Sequence, residues 1–317
     1  MTAVLEAPTR TAQRRVTFLE LEITRECQLT CASHCYAQAG PGAGHGSMTA
    51  DDWRRVITEA SRMGVTKVQF IGGEPTRHPE FTALVRRALA ENLHVQVFSN
   101  LYRVRESWWD LFAHPRVSLG TSYYSDDAAE HDAITGRTGS HAKTRANITE
   151  AIRRGVPLKV GIIHMHDGQR TEQARAEMES LGAARVHVDR VRGVGNAARV
   201  LPSVTELCGS CGDARAAIGP DGEVWPCGVL SRFLHPAGNV RQTPLGQILT
   251  GDTWAALASA IPRRRSQSGC VPDEDSCMPS PGETPSTGRM EQGCNPDNDS
   301  DDCSPAETPA CSPAYDE

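Results

Sequence analysis

Three cysteines lie close together near the start of this sequence of 317 residues. Cys27, Cys31 and Cys35 are separated by three residues in each interval, and they follow a strand-like apolar run over residues 16–23. Three neighbouring thiolates can hold three irons of a 4Fe-4S cube and leave the fourth iron open to another ligand. Because an open iron can bind a small molecule, this stretch is the first candidate for a chemical site.

A second motif follows the next strand-like run, over residues 65–70, and consists of Gly72, Gly73, Glu74 and Pro75. Two glycines let a backbone approach a ligand closely, and the carboxylate beside them can accept hydrogen bonds from an ammonium group. Each motif has an ordinary alternative. The glycine motif could be a simple turn, and the three cysteines could bind zinc with His34 as the fourth ligand. The order of the two motifs after successive strands favours one shared site.

Together the two motifs resemble those of the radical SAM superfamily. The resemblance implies that the amino and carboxylate groups of S-adenosylmethionine chelate the open iron, and that the Gly-Gly-Glu-Pro motif holds the amino group. The usual spacing in that family is three residues and then two, so either Ser33 or His34 is an insertion here. Tyr36 supplies the aromatic residue that follows the last cysteine in the family.

Alternating strand and helix patterns predict a parallel sheet. Predicted strands cover residues 16–23, 65–70, 94–98, 116–119, 157–163 and 185–191, with helical patterns between them. The first helix starts with a capping-box pattern at Thr49 and Asp52, and a polar loop that carries Arg137 and Gly139 precedes a helix near residues 143–154. This alternation is typical of right-handed β-α-β units, in which the chemistry of barrels gathers at the carboxyl ends of the strands. We therefore expect the α/β class, with residues 16–200 forming a partial (β/α)6 TIM-like barrel that is open on one side, as the resemblance implies.

Further residues at predicted strand ends would complete the cofactor site. By resemblance these are Ser99 and Asn100 for the ribose, Ser122 and Arg137 for the methionine carboxylate or the ribose, and Val160 or Ile162 for the adenine. The alternatives are a strand-ending turn at Ser99 and Asn100 and a solvated loop charge at Arg137.

Eight cysteines follow the predicted barrel, at Cys208, Cys211, Cys227, Cys270, Cys277, Cys294, Cys303 and Cys311. The Asp-Gly pair at 221–222, between short β-rich runs, predicts a hairpin that brings Cys211 and Cys227 together. Residues 201–262 resemble the SPASM and Twitch extensions, which bind auxiliary iron-sulfur clusters. We expect one or two auxiliary 4Fe-4S clusters, the first held by Cys208, Cys211, Cys227 and a later cysteine. A zinc site or a disulfide in the tail is the alternative.

Charge is unevenly distributed along the chain. The formal net charge is −6, yet residues 266–317 hold twelve Asp and Glu against one Arg, so they carry −11 and the remainder carries +5. No Lys/Arg stripe with interleaved aromatics is present, which argues against nucleic-acid binding.

We expect residues 1–15 to be a flexible arm, and residues 263–317 an acidic Cys/Pro/Ser-rich tail that orders only if its cysteines bind a cluster. Without a signal peptide or a membrane-spanning run, a cytoplasmic location is expected.

The resemblance also implies a reaction. A reduced cluster passes one electron to S-adenosylmethionine, and the resulting 5'-deoxyadenosyl radical abstracts a hydrogen atom from the substrate. SPASM-type members mostly act on ribosomally made peptides, so we expect a peptide maturase that forms an intramolecular C-C or thioether crosslink. An auxiliary cluster suits this reaction, since ring closure releases a further electron.

The expected partners follow from this reaction. They are a precursor peptide and an electron donor resembling flavodoxin or ferredoxin. A separate leader-binding protein, or a groove on this chain, would replace the winged-helix leader-binding domain that we do not find before the first strand.

Three other functions stay open. A peptide epimerase would need an unligated thiol, for which Cys208 and Cys277 are candidates. A dehydrogenase of a sugar or aminocyclitol would suit a shortened, Twitch-like extension. A non-catalytic iron-sulfur or zinc scaffold would bind metal without cleaving the cofactor. No residue pattern identifies a catalytic acid or base.

Overall fold

The structure is a computed structural model that describes residues 15–31, 33–207 and 211–262. Its nine strands are β1 (Phe18–Glu22), β2 (Lys67–Ile71), β3 (His94–Phe98), β4 (Val117–Tyr123), β5 (Leu158–His164), β6 (Arg185–Arg190), β7 (Arg215–Ile218), β8 (Glu223–Trp225) and β9 (Gly238–Asn239). They form one sheet in the order β6-β5-β4-β3-β2-β1-β7-β8-β9. Strands β1 to β6 each pair in parallel with the next. The predicted six-stranded parallel α/β fold is therefore confirmed.

Eight α-helices cover the sheet or follow it within the described ranges. They are α1 (Ala50–Met63), α2 (Phe81–Ala90), α3 (Glu106–Phe112), α4 (Ala128–Thr135), α5 (Ser140–Arg153), α6 (Thr171–Ser180), α7 (Leu245–Thr250) and α8 (Asp252–Ser259). In this part of the chain, no helix is long and apolar enough to cross a membrane.

Helix α1 shows why these elements form. Thr49 and Asp52 make the predicted capping box, in which the threonine hydroxyl accepts from the Asp52 N–H and the aspartate accepts from the Thr49 N–H. The buried residues on one face pack against the sheet, and they include Trp53 and Ile57. Gly64 ends the helix in the left-handed conformation. Local pattern and tertiary packing agree here.

Helix α4 was not predicted, because its sequence has no strong apolar stripe. The Asp127 side chain caps it by accepting a hydrogen bond from the Glu130 N–H at 2.8 Å. Asp132 then caps the start of the next helix, since its carboxylate accepts from the backbone of Gly139 and His141. The predicted polar loop that carries Arg137 and Gly139 joins α4 to α5, and the helix predicted near residue 143 begins at Ser140.

The two faces of β1 differ in chemistry. Leu19 and Leu21 join the apolar core that contains α1. Glu20 and Glu22 alternate with them and so lie on the other face, where both are buried. Glu20 pairs in register with Gln69, which in turn pairs with Gln96, and the Gln69 amide donates to Gln96 at 2.6 Å. The inner face of the sheet is therefore polar at this level.

The predicted hairpin of the extension is confirmed by the antiparallel pairing of β7 with β8. Strand β7 also pairs in parallel with β1, so the hairpin continues the parallel sheet. The proposed domain boundary near residue 200 stays a prediction.

Candidate functional site

A cavity of about 140 Å³ lies at the carboxyl ends of the parallel strands. Its wall contains all three cysteines of the first motif, together with Tyr36, Gly73, Phe98, Asn100, Ser122, Tyr124, Ile163 and Arg190. The structure therefore brings together residues that are far apart in the sequence, at the position where parallel barrels carry their chemistry. The roles of the individual side chains stay predictions.

The cysteine loop provides hydrogen-bond donors to its own sulfurs. Cys27 Sγ accepts from the Leu29 N–H at 3.4 Å and from the Asn100 amide at 3.6 Å. Cys35 Sγ accepts from the Ala39 N–H at 3.4 Å. Donors of this kind stabilise negative charge on sulfur and tune a metal that is bound to it.

The three thiols are nevertheless hard to ionise without a cation. Burial, and then the nearby Glu74 carboxylate, raise the pKa of Cys27 to about 12. Burial, followed by the charges of Cys35 and Cys27, raises the pKa of Cys31, and burial likewise raises that of Cys35. A bound metal reverses this preference, because it deprotonates a coordinating thiol. The donor set therefore fits a positively charged iron cluster.

A single zinc ion is a poorer match. Over the described ranges, no group of three or more His, Cys, Asp or Glu side chains is placed to hold one metal ion. His34 Nε2 instead lies 2.9 Å from the Tyr124 hydroxyl. In a 4Fe-4S cube each sulfur binds a different iron, so its ligands need not converge on one point.

The extra residue of the cysteine motif is accommodated by one turn of chain. The Cys35 N–H donates to the Cys31 carbonyl at 3.2 Å, which closes a turn of the i to i+4 type. Asn196 follows β6 and contacts both ends of this turn. Its N–H donates to the Cys35 carbonyl at 3.0 Å, and its side-chain amide donates to the Cys31 carbonyl at 3.2 Å. The longer spacing is thus supported by tertiary contacts.

The two glycines of the second motif face the chain that leads into the cysteine loop. The Gly73 N–H donates to the Thr24 carbonyl at 2.8 Å, and the Glu74 N–H donates to the Glu26 carbonyl at 2.9 Å. A Cβ atom at Gly72 would lie 2.3 Å from the Thr24 carbonyl oxygen, and one at Gly73 would lie 2.6 Å from that of Glu26. We predicted that the two glycines allow the backbone to approach a ligand closely. In the structure, the close approach is to the protein's own backbone at Thr24 and Glu26.

The Glu74 side chain joins two loops behind the cavity wall. Its carboxylate accepts from the Thr76 hydroxyl at 2.6 Å, the Ser99 hydroxyl at 2.9 Å and the Asn100 N–H at 2.8 Å. Burial raises its pKa despite these donors. Glu74 and Ser99 do not line the cavity, and Pro75 is buried at the start of a short 3-10 turn. The contacts of the Glu74 carboxylate with an ammonium group and of Ser99 with the ribose stay predictions.

The other predicted cofactor residues divide in the same way. Asn100, Ser122 and Tyr36 line the cavity, and the Tyr36 hydroxyl donates to Glu22 at 2.8 Å. Arg137 is exposed, donates to the Gln28 carbonyl at 2.7 Å and stacks on a tyrosine ring. Arg137 therefore lies at the edge of the cysteine loop and outside the cavity wall, and its contact with the cofactor stays a prediction.

Strand β5 faces the opposite way from our expectation. Val160 and Ile162 are fully buried in the main core, whereas Ile163 lines the cavity. Because successive side chains of a strand point to opposite faces, an error of one residue exchanges core and cavity. The adenine contact predicted for Val160 or Ile162 is therefore wrong.

Several cavity residues were missed from the sequence. Tyr124 was missed because β4 was predicted to end at residue 119, while it continues to Tyr123. His131 and Thr135 were missed together with α4. The pair Tyr123-Tyr124 directly after Ser122 was the signal that could have extended the strand.

The second cysteine set is only partly described. The Gly212 N–H donates to the Pro226 carbonyl at 3.0 Å, which places Cys211 and Cys227 beside each other as predicted. Both are buried in an apolar cluster with Trp225. The remaining predicted ligands lie outside the described residues, namely Cys208, Cys270, Cys277, Cys294, Cys303 and Cys311.

A parallel α/β sheet that carries a three-cysteine loop at its carboxyl edge, followed by a cysteine-bearing hairpin, defines a class of iron-sulfur protein. The model of the radical SAM superfamily matches residues 21–181, which is half of the chain. The protein belongs to that superfamily. The SPASM model, described as an iron-sulfur cluster-binding domain, matches residues 208–277. The two matches imply 4Fe-4S clusters and S-adenosylmethionine as the cofactors.

Known proteins agree with this placement. The PqqA peptide cyclase of Xanthomonas campestris pv. campestris (strain B100) is 30% identical over 193 residues, which cover 59% of this chain and 51% of that protein. The chain thus spans about half the length of the curated relatives it matches.

Solved structures support the fold. Streptococcus suis SuiB bound to S-adenosylmethionine has a TM-score of 0.65 at 15% identity, covering 77% of this chain and 68% of that one. SuiB bound to its precursor peptide SuiA has the same score and covers 80% and 68%. The anSMEcpe structure with bound AdoMet and a Cp18Cys peptide has a TM-score of 0.58 at 13% identity, covering 76% and 82%.

Proposed function

We propose that this protein is a radical SAM enzyme that modifies a ribosomally made peptide by oxidative intramolecular crosslinking, through a C-C or a thioether bond. The observation that carries the proposal is the convergence of Cys27, Cys31, Cys35 and Gly73 on one cavity at the carboxyl edge of the sheet. The peptide is proposed because the relatives at up to 30% identity are named PqqA peptide cyclases. A cyclase closes a ring, which favours crosslinking over epimerisation.

The chain would contribute positioning and shielding to this reaction. When bound, the cluster and S-adenosylmethionine supply a 5'-deoxyadenosyl radical that removes a hydrogen atom from a C–H bond. The Leu29 and Ala39 N–H groups and the Asn100 amide would orient the ligand sulfurs. Phe98 and Ile163 form apolar parts of the cavity wall. An apolar wall excludes water and so would protect a reactive radical from side reactions.

The second cysteine set would hold an auxiliary 4Fe-4S cluster. We propose Cys208, Cys211 and Cys227 as ligands, with the fourth from Cys270 or Cys277. The SPASM match supports this choice because it includes both of the later cysteines and ends before Cys294. Buried thiols in an apolar surrounding suit a cluster that is closed to substrate.

The proposal is tested with the full-length protein, reconstituted anaerobically with iron and sulfide and reduced with dithionite. We expect 5'-deoxyadenosine from S-adenosylmethionine, and none from a variant in which Cys27, Cys31 and Cys35 are replaced by Ala. Iron-loaded wild-type protein that forms no 5'-deoxyadenosine would contradict radical chemistry and favour the scaffold function.

The substrate is sought among short peptides encoded beside this gene. Crosslinking removes two hydrogen atoms from the peptide mass and leaves the ring fragments joined in tandem mass spectra. Loss of two hydrogens without joined fragments would indicate dehydrogenation. Unchanged mass with one deuterium taken up from heavy water would indicate an epimerase.

A further inference from the structure

His131 carries a buried ring nitrogen that has no protein partner. The residue lies in α4, is 1% exposed and lines the cavity. Its Nε2 atom is buried and makes no hydrogen bond with any group that the structure describes. Buried polar atoms in native proteins nearly always have a partner, and each that lacks one requires an explanation. The position of His131 in the cavity wall suggests that a bound molecule supplies it.

The other ring nitrogen is fixed by a chain of hydrogen bonds. His131 Nδ1 lies 3.1 Å from Ser140 Oγ, and the Ser140 hydroxyl donates to Asp132 at 3.0 Å. Burial raises the pKa of Asp132, but hydrogen bonds from the His141 and Gly139 backbone and from Ser140 outweigh this effect and leave it below its ordinary value. Asp132 is therefore an acceptor and takes the only hydrogen of the Ser140 hydroxyl.

Counting hydrogens then assigns the tautomer of His131. With its hydrogen on Asp132, the Ser140 hydroxyl can only accept from His131 Nδ1–H at 3.1 Å, and its oxygen also lies 2.6 Å from the Thr135 hydroxyl. Burial, and then the nearby His141, lower the pKa of His131 to about 4, so the ring is neutral at pH 7. A neutral imidazole has one donor and one acceptor nitrogen. Because Nδ1 donates, Nε2 presents a lone pair.

The aromatic neighbours of His131 are engaged elsewhere. The Tyr124 hydroxyl contacts His34, and the Tyr123 hydroxyl donates to Glu177 at 2.7 Å and contacts His141. These rings pack 5.1 to 5.5 Å from His131, so they enclose it without satisfying Nε2. A molecule bound in the cavity would supply the donor that Nε2 lacks among the described residues.

We propose that His131 is a cofactor-binding residue, whose Nε2 accepts a hydrogen bond from an N–H or O–H group of S-adenosylmethionine in the cavity. We favour the cofactor over the peptide as the ligand because the helix that carries His131 lies close to the cysteine loop. Thr135 follows His131 by one helical turn, and its backbone carbonyl lies 3.7 Å from Cys31 Sγ, so the C-terminal end of α4 lies beside the cysteine loop. The inference rests on the proposed function only for the identity of the cofactor.

Two pairs of variants separate the contribution of the Nε2 acceptor from that of the rest of the His131 side chain. His131→Asn keeps a donor toward Ser140 and removes the acceptor, while His131→Phe keeps the aromatic packing and removes it as well. His131→Gln places an amide near the position of Nε2, and Ser140→Ala removes the group that fixes the tautomer of His131, together with its contacts to Thr135 and Asp132. Each is reconstituted as full-length protein, and its iron and sulfide contents are measured.

The measurement is the dissociation constant of S-adenosylmethionine by equilibrium dialysis, with the perturbation of the reduced-cluster EPR signal on cofactor addition as a second readout. We expect affinity to fall roughly tenfold in His131→Asn and His131→Phe, as for loss of one hydrogen bond to a buried group. His131→Gln should stay within about threefold of wild type, which is less than 1 kcal/mol. The affinity of Ser140→Ala should fall between those of His131→Gln and His131→Asn, because this variant no longer fixes the tautomer of His131.

Wild-type affinity in either acceptor-free variant with an intact cluster would overturn the inference. So would unchanged cofactor affinity with loss of peptide turnover, since the acceptor would then serve the substrate. If the affinity pattern is as expected but no peptide is modified, the inference stands and the proposed function fails. If wild-type protein modifies a peptide while His131→Asn binds the cofactor normally, only the inference fails.

Discussion

The two cysteine sites of this protein are built in opposite ways. In the first, Cys27, Cys31 and Cys35 come from one short loop and line a cavity. In the second, Cys211 and Cys227 come from the two ends of a hairpin and lie in an apolar cluster. The first arrangement leaves space for a small molecule beside the cysteines, whereas the two described cysteines of the second are surrounded by apolar side chains. This difference is consistent with our proposal that the first site performs the chemistry and the second holds an auxiliary cluster.

Removing one ligand from each site gives the largest expected effect. Cys31→Ala should lower 5'-deoxyadenosine formation to the level without protein, because the open iron needs all three thiolates. Cys227→Ala should keep 5'-deoxyadenosine formation and lose the crosslinked peptide. Both products are measured in one anaerobic assay. If Cys227→Ala also abolished 5'-deoxyadenosine while iron remained at the first site, the two sites would not be separable.

Adding a methyl group at Gly73, where the two motifs pack together, should destabilise the first site and leave the second site unchanged. At Gly73 a Cβ atom would lie 2.6 Å from the Glu26 carbonyl oxygen, and overpacking of this kind costs about 1–3 kcal/mol. We expect Gly73→Ala to lower the melting temperature and the iron content of the first site. The matched control is Gly40→Ala on the same loop, where a Cβ would meet nothing within 4 Å. Equal losses in both variants would contradict a steric cause.

A smaller effect is expected where Asn196 holds the cysteine turn. Asn196→Asp keeps the shape of the side chain but removes the amide that donates to the Cys31 carbonyl at 3.2 Å. The loss should be about 1 kcal/mol, seen as faster release of first-site iron to a chelator. Asn239→Asp is the control in the second region, since the Asn239 amide donates to the Asp221 carbonyl at 2.9 Å. Iron release that is equally fast in the control would argue against a local role for Asn196.

Much of the fold followed from local patterns. The six parallel strands, the capping box at Thr49 and Asp52, and the hairpin that places Cys211 beside Cys227 were all predicted and confirmed. Helix α4 was not predicted because its sequence is polar. It forms a helix because Asp127 caps its first turn and because residues such as His131 are buried in the folded protein. Tertiary packing decided its structure, and with it a wall of the cavity.

For the candidate site, the sequence predicted the chemical groups better than it predicted which side chains line the cavity. The sequence by itself determined which chemical groups are present, since cysteine spacing, the Gly-Gly-Glu-Pro motif and their order after two strands depend only on neighbours along the chain. Only the tertiary structure decided which side chains reach the cavity. It turned Ile163 toward it and Ile162 away, engaged Glu74 with Ser99, and brought Asn196 onto a loop more than 150 residues earlier. The reason is physical: local pattern selects an element, whereas strand register and packing between distant segments select the face that each residue presents.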